Sequence, residues 1–385
     1  MSTQALPARA EVDLGAIRGN VSALAERAGS AEVMAVVKAD AYGHGLVPSA
    51  LAAVRGGATW LGVAQLPEAL ELRRALRGAG VEVPVLSWLH VPGQDFGPAV
   101  SEGVDLGVAS TWALDEVLAA AAATGSTARI HVKVDTGLGR NGAWDADLEA
   151  LLAGVAKAQA EGAVEVVGLF SHFAYADAPQ HPTVRGQQER FDGIIAQFER
   201  AGVRPQVRHL ANSAATLTNP SAHYDLVRPG VSVYGLSPVP DLGAPEDFGL
   251  REAMRLVANL SLVKDAPAGQ GISYGHTYTT STDTRLGLVP MGYADGIPRH
   301  ASNAGPVQVA GQRYSVAGRV CMDQFVLDLG AQSPAAAGDE AVLFGVGAEG
   351  EPTAQDWAVA ADTINYEVVT RLGARVPRVY VGADA

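Results

Sequence analysis

Val33-Met34-Ala35-Val36-Val37-Lys38-Ala39-Asp40-Ala41-Tyr42-Gly43-His44-Gly45 joins an apolar run to a lysine and then to a glycine-rich turn. A short apolar run stopped by turn residues predicts a strand buried on both faces. The pattern recurs along the first two-thirds of the chain. Its runs are Val33–Lys38, Trp60–Ala64, Val83–Trp88, Val104–Ala109, Arg129–Asp135, Val166–Ser171, Gln206–Leu210 and Asp225–Arg228. Around them, Leu14–Ala28, Glu68–Arg77, Trp112–Ala122 and Thr183–Ala201 place apolar residues three or four positions apart, the spacing of an amphipathic helix. Strands that alternate with helices pair in parallel through crossovers. Eight such units over about 220 residues predict a (β/α)8 barrel of the TIM type, with an open doubly wound sheet as the competing arrangement.

The rhythm breaks at Leu236–Leu250, LSPVPDLGAPEDFGL, whose three prolines and two glycines read as a linker. Beyond it, Met254–Lys264, Thr284–Pro290, Val307–Val309, Arg313–Val320, Gln324–Leu329 and Glu340–Phe344 read as strands joined by glycine-rich turns. A last helix over Ala354–Arg371 precedes a strand over Val376–Val381. The expected organisation is α/β: a barrel over residues 1–240, then a mainly β domain over residues 241–385. The first few residues are expected to pair with that second domain.

Composition narrows the function. At 48% hydrophobic and 18% charged residues, the chain has the make-up of a packed globular protein and not of a disordered one. The net charge of -13 comes without a basic stripe, which argues against nucleic acid as a partner. The lone Cys321 can form neither an internal disulfide framework nor a cysteine-rich zinc site, so a reducing cytoplasm and no structural metal are expected. The N-terminus shows no signal-peptide pattern. No window approaches the roughly 18 apolar residues of a membrane span.

Chemistry begins at Lys38. Barrel enzymes place their reacting groups at the C-terminal ends of the strands. A partly desolvated lysine there has a lowered pKa and is suited to covalent bonding with a carbonyl group. The competing role is a lysine that runs its stem along the surface and its charge into solvent. His172 follows another strand, and a single histidine there is more often structural. Asn212 and Ser213 stand where a helix begins and are first of all ordinary caps. Lys133 has Asp135 as a possible ion partner, and Arg228 has Asp225. By spacing alone, Tyr274 is a buried strand tyrosine.

The eleven residues Ala35–Gly45 resemble, almost position for position, the cofactor motif of the alanine racemase family. Further strings match in order: Lys133–Arg140 (KVDTGLGR), Ser171–Asp177 (SHFAYAD), His209–Ser213 (HLANS), Arg228–Val231 (RPGV), Gly271–Gly275 (GISYG), Met291–Gly296 (MGYADG), Gly318–Gln324 (GRVCMDQ) and Ile364–Glu367 (INYE). The resemblance covers nearly the whole chain. It implies pyridoxal 5'-phosphate bonded to Lys38, which also serves as a base. It places Tyr42, Asn212, Ser213, Gly230, Val231 and Tyr366 around the cofactor, with His172 in a cofactor-side network. It sets Arg140, Tyr293 and Met322 against the substrate, and makes Lys133 a site of carbamylation.

Two implied roles carry mechanism. Arg228 faces the cofactor's ring nitrogen. A cation that can only donate disfavours protonation there and leaves a restrained electron sink. Tyr274 is the second base, supplied by the partner subunit of a homodimer. Racemisation removes a proton from one face of a carbon and returns one to the other, so one base on each face is the simple solution. The implied substrate is alanine, and the implied role of D-alanine is supply to peptidoglycan. A serine-preferring racemase, a barrel-type amino-acid decarboxylase and a non-catalytic cofactor carrier are the rival readings. The Tyr274 and Met322 strings weigh against the decarboxylase. The long segment after the barrel weighs against the carrier. One hydroxyl is a small change in a pocket, so serine is the hardest to separate.

Overall fold

A computed structural model describes residues 6–382. Its first strand is β1 (Ala8–Asp13), and eight strands then form one parallel sheet: β2 (Glu32–Val36), β3 (Trp60–Val63), β4 (Val85–Ser87), β5 (Asp105–Val108), β6 (Ala128–Lys133), β7 (Val164–Phe170), β8 (Val207–His209) and β9 (Leu226–Val227). Their order is β8-β7-β6-β5-β4-β3-β2-β9. An isolated parallel bridge between Asn212 and Arg228 closes the ring, helped by Asp225 N–H donating to the Arg208 carbonyl at 3.1 Å. The sheet is therefore a barrel and not an open doubly wound sheet. Each of the eight expected apolar runs overlaps one of its strands.

The barrel core has two layers. Outside, helices such as Leu14–Ala28 and Pro182–Arg200 lay their apolar faces on the strands. Burying such a face removes apolar area from water, at about 25 cal/mol per Å². Inside, Met34, Trp60, Leu86, Val167, Val207 and Leu226 form a cluster of their own, one side chain from each of six strands. The other two strands, β5 and β6, contribute buried polar residues, Asp105 and His131.

The second sheet has nine strands: β1 with β10 (Met254–Asn259), β11 (Leu262–Ala266), β14 (Thr284–Val289), β15 (Pro306–Val309), β16 (Gln312–Ala317), β17 (Phe325–Asp328), β18 (Glu340–Phe344) and β19 (Arg378–Val381). β1 lies between β10, antiparallel, and β19, parallel. A small hairpin, β12 (Gly271–Ile272) and β13 (Tyr278–Thr279), stands apart and carries Tyr274 at its turn.

Two expected elements divide. Met254–Lys264 is two strands, because the chain leaves the ladder at Leu260 and Ser261 to cross to another neighbour. The helix expected over Ala354–Arg371 is broken into Ala354–Ala360 and Asn365–Thr370, with Asp362 in the left-handed region at φ +52°.

The segment after β2 is the most unusual backbone in the chain. Ala39, Asp40, Ala41 and Tyr42 all have φ between 53° and 55°, one turn of left-handed helix without a glycine. Each such residue costs about 1–2 kcal/mol, so the surroundings must hold the turn. Asp40 Oδ1 accepts from Leu46 N–H at 2.7 Å, and His44 Nδ1 donates to the Ala41 and Tyr42 carbonyls, each at 3.0 Å. Glu68 Oε1 accepts from Ala39 N–H at 2.6 Å. Gly43 is obligatory, since any Cβ would collide with the Val369 carbonyl of the last helix.

A β-branched side chain tolerates this conformation worst, and glycine tolerates it best. Ala39→Gly is expected to be at least about 1 kcal/mol more stable than Ala39→Val in urea-induced unfolding. Equal midpoints and slopes for the two variants would refute the strain.

Candidate active site

The C-terminal end of the barrel gathers cations. Lys38 follows β2, and its Nζ lies 5.8 Å from the Tyr42 ring and 6.0 Å from the Trp88 ring. Burial lowers its pKa, and the positive charges of Arg140 and Arg228 add to that effect, against an opposing pull from Glu68. Lys133 ends β6, with Nζ 5.4 Å over the Phe170 ring. Burial, with Arg228, Arg140 and Lys38 nearby, lowers its pKa to about 8.

Neither alternative ion pair forms. Asp135 spends both carboxylate oxygens on the loop behind it, accepting from the N–H groups of Gly137, Leu138, Gly139 and Arg140 at 2.8–3.1 Å. That collar shapes the loop carrying Arg140 and leaves Lys133 unpaired among the described residues. Asp225 binds Arg208 through Nε at 2.6 Å, not Arg228. The buried Arg228 has no carboxylate partner among the described residues. Its Nη2 donates to the Ser171 carbonyl at 2.7 Å and its Nη1 to His209 Nδ1 at 3.1 Å. Nε donates to nothing among the described residues. Burial pushes the guanidinium pKa down. Four cations thus converge, none of them in an ion pair among the described residues, which is a site for an anion.

Beside them is a small polar cradle. Ser213 Oγ accepts from Gly230 N–H at 2.8 Å and lies 3.4 Å from Ser232 N. A Cβ at Gly230 would intrude on the Tyr42 hydroxyl, so only glycine leaves that approach open. Asn212 caps the short helix Ser213–Thr218 by accepting from Ala215 N–H at 3.1 Å. Tyr366, on the helix Asn365–Thr370, stands 6.4 Å from Tyr42, ring to ring. Burial raises the pKa of both phenols, which keeps them protonated donors. His172 places Nδ1 3.4 Å from Arg228 Nη2, and burial together with Arg228 depresses its pKa well below the ordinary value.

Tyr274, Tyr293 and Met322 are elsewhere, on the outer face of the β domain. They are 71%, 41% and 53% exposed, so they are not enclosed with the barrel cations inside one chain. They do lie on loops pinned to one another. Ser273 Oγ donates to the Arg319 carbonyl at 2.8 Å, and the Tyr293 and Ala294 N–H groups donate to the Cys321 and Met322 carbonyls, each at 3.0 Å. Tyr274 is not the buried strand tyrosine that spacing alone suggests.

Several site residues escaped the sequence reading: Glu68 and Trp88 beside Lys38, and the buried Asp105, His131 and His209 below Arg228. A signal existed for one of them. Arg129, His131 and Lys133 alternate along β6, and alternate residues of a strand share a face.

Residues 12–238 match the model for "Alanine racemase, N-terminal domain", and residues 253–380 match that for "Alanine racemase, C-terminal domain". An alanine racemase of Frankia casuarinae is 60% identical over 372 residues, which is 97% of this chain and 96% of that protein. A crystal structure of alanine racemase from D-cycloserine-producing Streptomyces lavendulae superposes with a TM-score of 0.96 at 56% identity, covering 98% of each chain. One from Bacillus anthracis, solved with bound L-Ala-P, has a TM-score of 0.89 at 35% identity and covers 99% of this chain and 96% of its own. With both of its domains matched in order and its strands closed into the same barrel, the chain belongs to the alanine racemase family.

Proposed function

We propose that the protein interconverts L- and D-alanine, using pyridoxal 5'-phosphate held at the C-terminal end of the barrel. The observation that carries this reading is the convergence of Lys38, Lys133, Arg140 and Arg228 at the C-terminal end of the barrel, none of them in an ion pair among the described residues. The residues present suit that cofactor. Lys38 offers an amine whose neutral form is favoured by burial. Tyr42, Ser213 and the open approach at Gly230 suit a phosphate, with Asn212, Val231 and Tyr366 around it. The unpaired donors of Arg228 suit a ring nitrogen that accepts a hydrogen bond.

When bound, the cofactor supplies an electron sink that makes the α-hydrogen of an amino acid acidic. Arg140 binds the substrate carboxylate, to which its planar fork is matched. A carbamylated Lys133 would present a negative group to Arg140 and steady it. Arg228, donating only and permanently cationic, limits how far negative charge is drawn into the ring. His172 sits at its flank, where burial and then the surrounding cations favour its neutral form. Lys38 Nζ moves the proton on one face of the α-carbon.

The opposite face needs a second base, and Tyr274 is too exposed to be that base within its own chain. We place it, with Tyr293 and Met322, over the barrel opening of the partner in a homodimer, where the partner's cations favour its phenolate. The tyrosines narrow the entrance to a methyl side chain. The lone, half-buried Cys321 suits a reducing cytoplasm, and D-alanine made there serves peptidoglycan precursors. Among the described residues, no helix is long and apolar enough to cross a membrane.

Lys38→Ala is expected to abolish both the visible absorbance of the bound cofactor and racemisation of L-alanine. Retention of both at the wild-type level rejects the reading. Tyr274→Phe is expected to lower racemisation at least about 1,000-fold, the scale on which one general base acts. It should still exchange the α-hydrogen of one alanine enantiomer with deuterated solvent. Mixing the two inactive variants after subunit exchange should regenerate activity, because one site of each hybrid is complete. No regained activity, with hybrids shown to form, would argue against a shared site.

A further inference from the structure

Beneath Arg228, a chain of buried polar groups crosses the inside of the barrel. Arg228 Nη1 lies 3.1 Å from His209 Nδ1. His209 Nε2 lies 2.9 Å from His131 Nδ1. His131 Nε2 lies 3.4 Å from Asp105 Oδ2 and has no well-aligned partner among the described residues. Asp105 is bound by Arg129 Nε at 2.6 Å, and Arg129 Nη1 reaches Glu165 at 2.9 Å, at the opposite end of the barrel from Lys38. Asp105, His131 and His209 are fully buried.

The fold makes room for this chain deliberately. A side chain at residue 168 on β7 would overlap the His131 ring, so Gly168 is required there. The ladder between β6 and β7 shifts register between Ile130 and His131, where the ring enters the lumen. Trp60 meets that ring edge-on at 5.4 Å, and Phe170 stacks flat on His209 at 4.8 Å. Such space in a barrel lumen ordinarily holds aliphatic side chains.

Proton bookkeeping leaves one arrangement. A guanidinium has no lone pair to offer, so His209 Nδ1 must accept. The proton of neutral His209 is therefore on Nε2, and it is donated to His131 Nδ1. That nitrogen must then be bare, and the proton of His131 is on Nε2, facing the Asp105 carboxylate. The reverse polarity would require His209 to lose both ring protons.

We infer that His131 and Asp105 are positioning residues for the reaction: they lock His209 as its Nε2–H tautomer and so keep Nδ1 an acceptor that fixes the guanidinium of Arg228. This rests on the proposed role of Arg228 at the cofactor's ring nitrogen. Without the lock, His209 can turn an N–H toward a donor, and the guanidinium loses its orienting bond on Nη1. The Ser171 carbonyl still holds Nη2, so Arg228 would stay in place but turn more freely.

The test compares His131→Phe with His131→Asn in the full-length holoenzyme. Phenylalanine keeps the ring's bulk and removes the acceptor. Asparagine keeps an oxygen near the position of Nδ1. His131→Phe is expected to lower kcat at least tenfold with KM for L-alanine changed less than threefold, and to shift the absorption maximum of the bound cofactor. His131→Asn should recover most of kcat and the wild-type spectrum. Nitrogen-15 NMR of labelled histidines should assign His209 as Nε2–H in the wild type, with or without cofactor, and a mixture of tautomers in His131→Phe. Equal kcat and spectra for the two variants, or an unchanged His209 tautomer in His131→Phe, overturns the inference. If His131→Phe does not fold, the wild-type NMR assignment of His131 decides alone: a proton on its Nδ1 refutes the lock, and a bare Nδ1 with Nε2–H supports it. A wild type that neither binds the cofactor nor racemises would overturn the reading of the site, and the tautomer of His209 would still be measured independently.

Discussion

A buried guanidinium without a counter-charge is the constraint around which this barrel is built. Removing an arginine from water costs several kcal/mol unless its donors are met. Arg228 meets part of that demand with carbonyl oxygens and an imidazole nitrogen, all neutral acceptors. A carboxylate would cancel the charge, and the nearby ones are engaged elsewhere: Asp225 with Arg208, Asp135 with its loop amides. The positive field at the mouth of the barrel therefore survives. Burial, with this field adding to it, depresses His172, His209, Lys38 and Lys133, and the field makes a place suited to anions in a chain of net negative charge.

The same constraint explains the polar column below the site. Neutral acceptors orient a cation only if their own protons are placed, and imidazole has two tautomers to choose from. Hydrogen bonds from His209 through His131 toward Asp105 settle that choice at a distance, among side chains that are fully buried. The left-handed turn after Lys38 is a second cost accepted at the site. Its strain is held by Asp40, His44, Glu68 and the packing of Gly43 against the last helix. The turn moreover presents Tyr42 and Lys38 to the same opening.

The two domains divide the work unevenly. The barrel carries the cations and the cradle. The β domain carries Tyr274, Tyr293 and Met322 on tethered loops that face outward, and it returns Tyr366 to the barrel mouth. β1 threads between β10 and β19, so the chain's first described strand and its last are tied into one sheet before and after the barrel. The exposed aromatic and sulfur side chains of the β domain stand on loops held by hydrogen bonds from Ser273 and from the Tyr293 and Ala294 backbone.

By itself, the sequence determined the alternation of strands and helices, because burial on both faces of a strand and one face of a helix leaves distinct periods. It also determined the position of Lys38 at a strand end and the order of the strings that resemble the family. The strand count predicted a barrel over an open sheet, and the structure supplied its closure, through the bridge between Asn212 and Arg228 and the Asp225 N–H donating to the Arg208 carbonyl. Partnerships lay beyond the sequence: Asp135 and Asp225 stand near Lys133 and Arg228 in the chain, and both bind other groups in space. The split of Met254–Lys264 and the break at Asp362 depended on which neighbour each segment meets. His131 looked like one polar residue in a strand, and only the closed lumen, with Gly168 opposite, made it part of a chain leading to Arg228. Local periodicity is written in neighbouring residues, whereas a proton's position is set by groups that only the fold brings together.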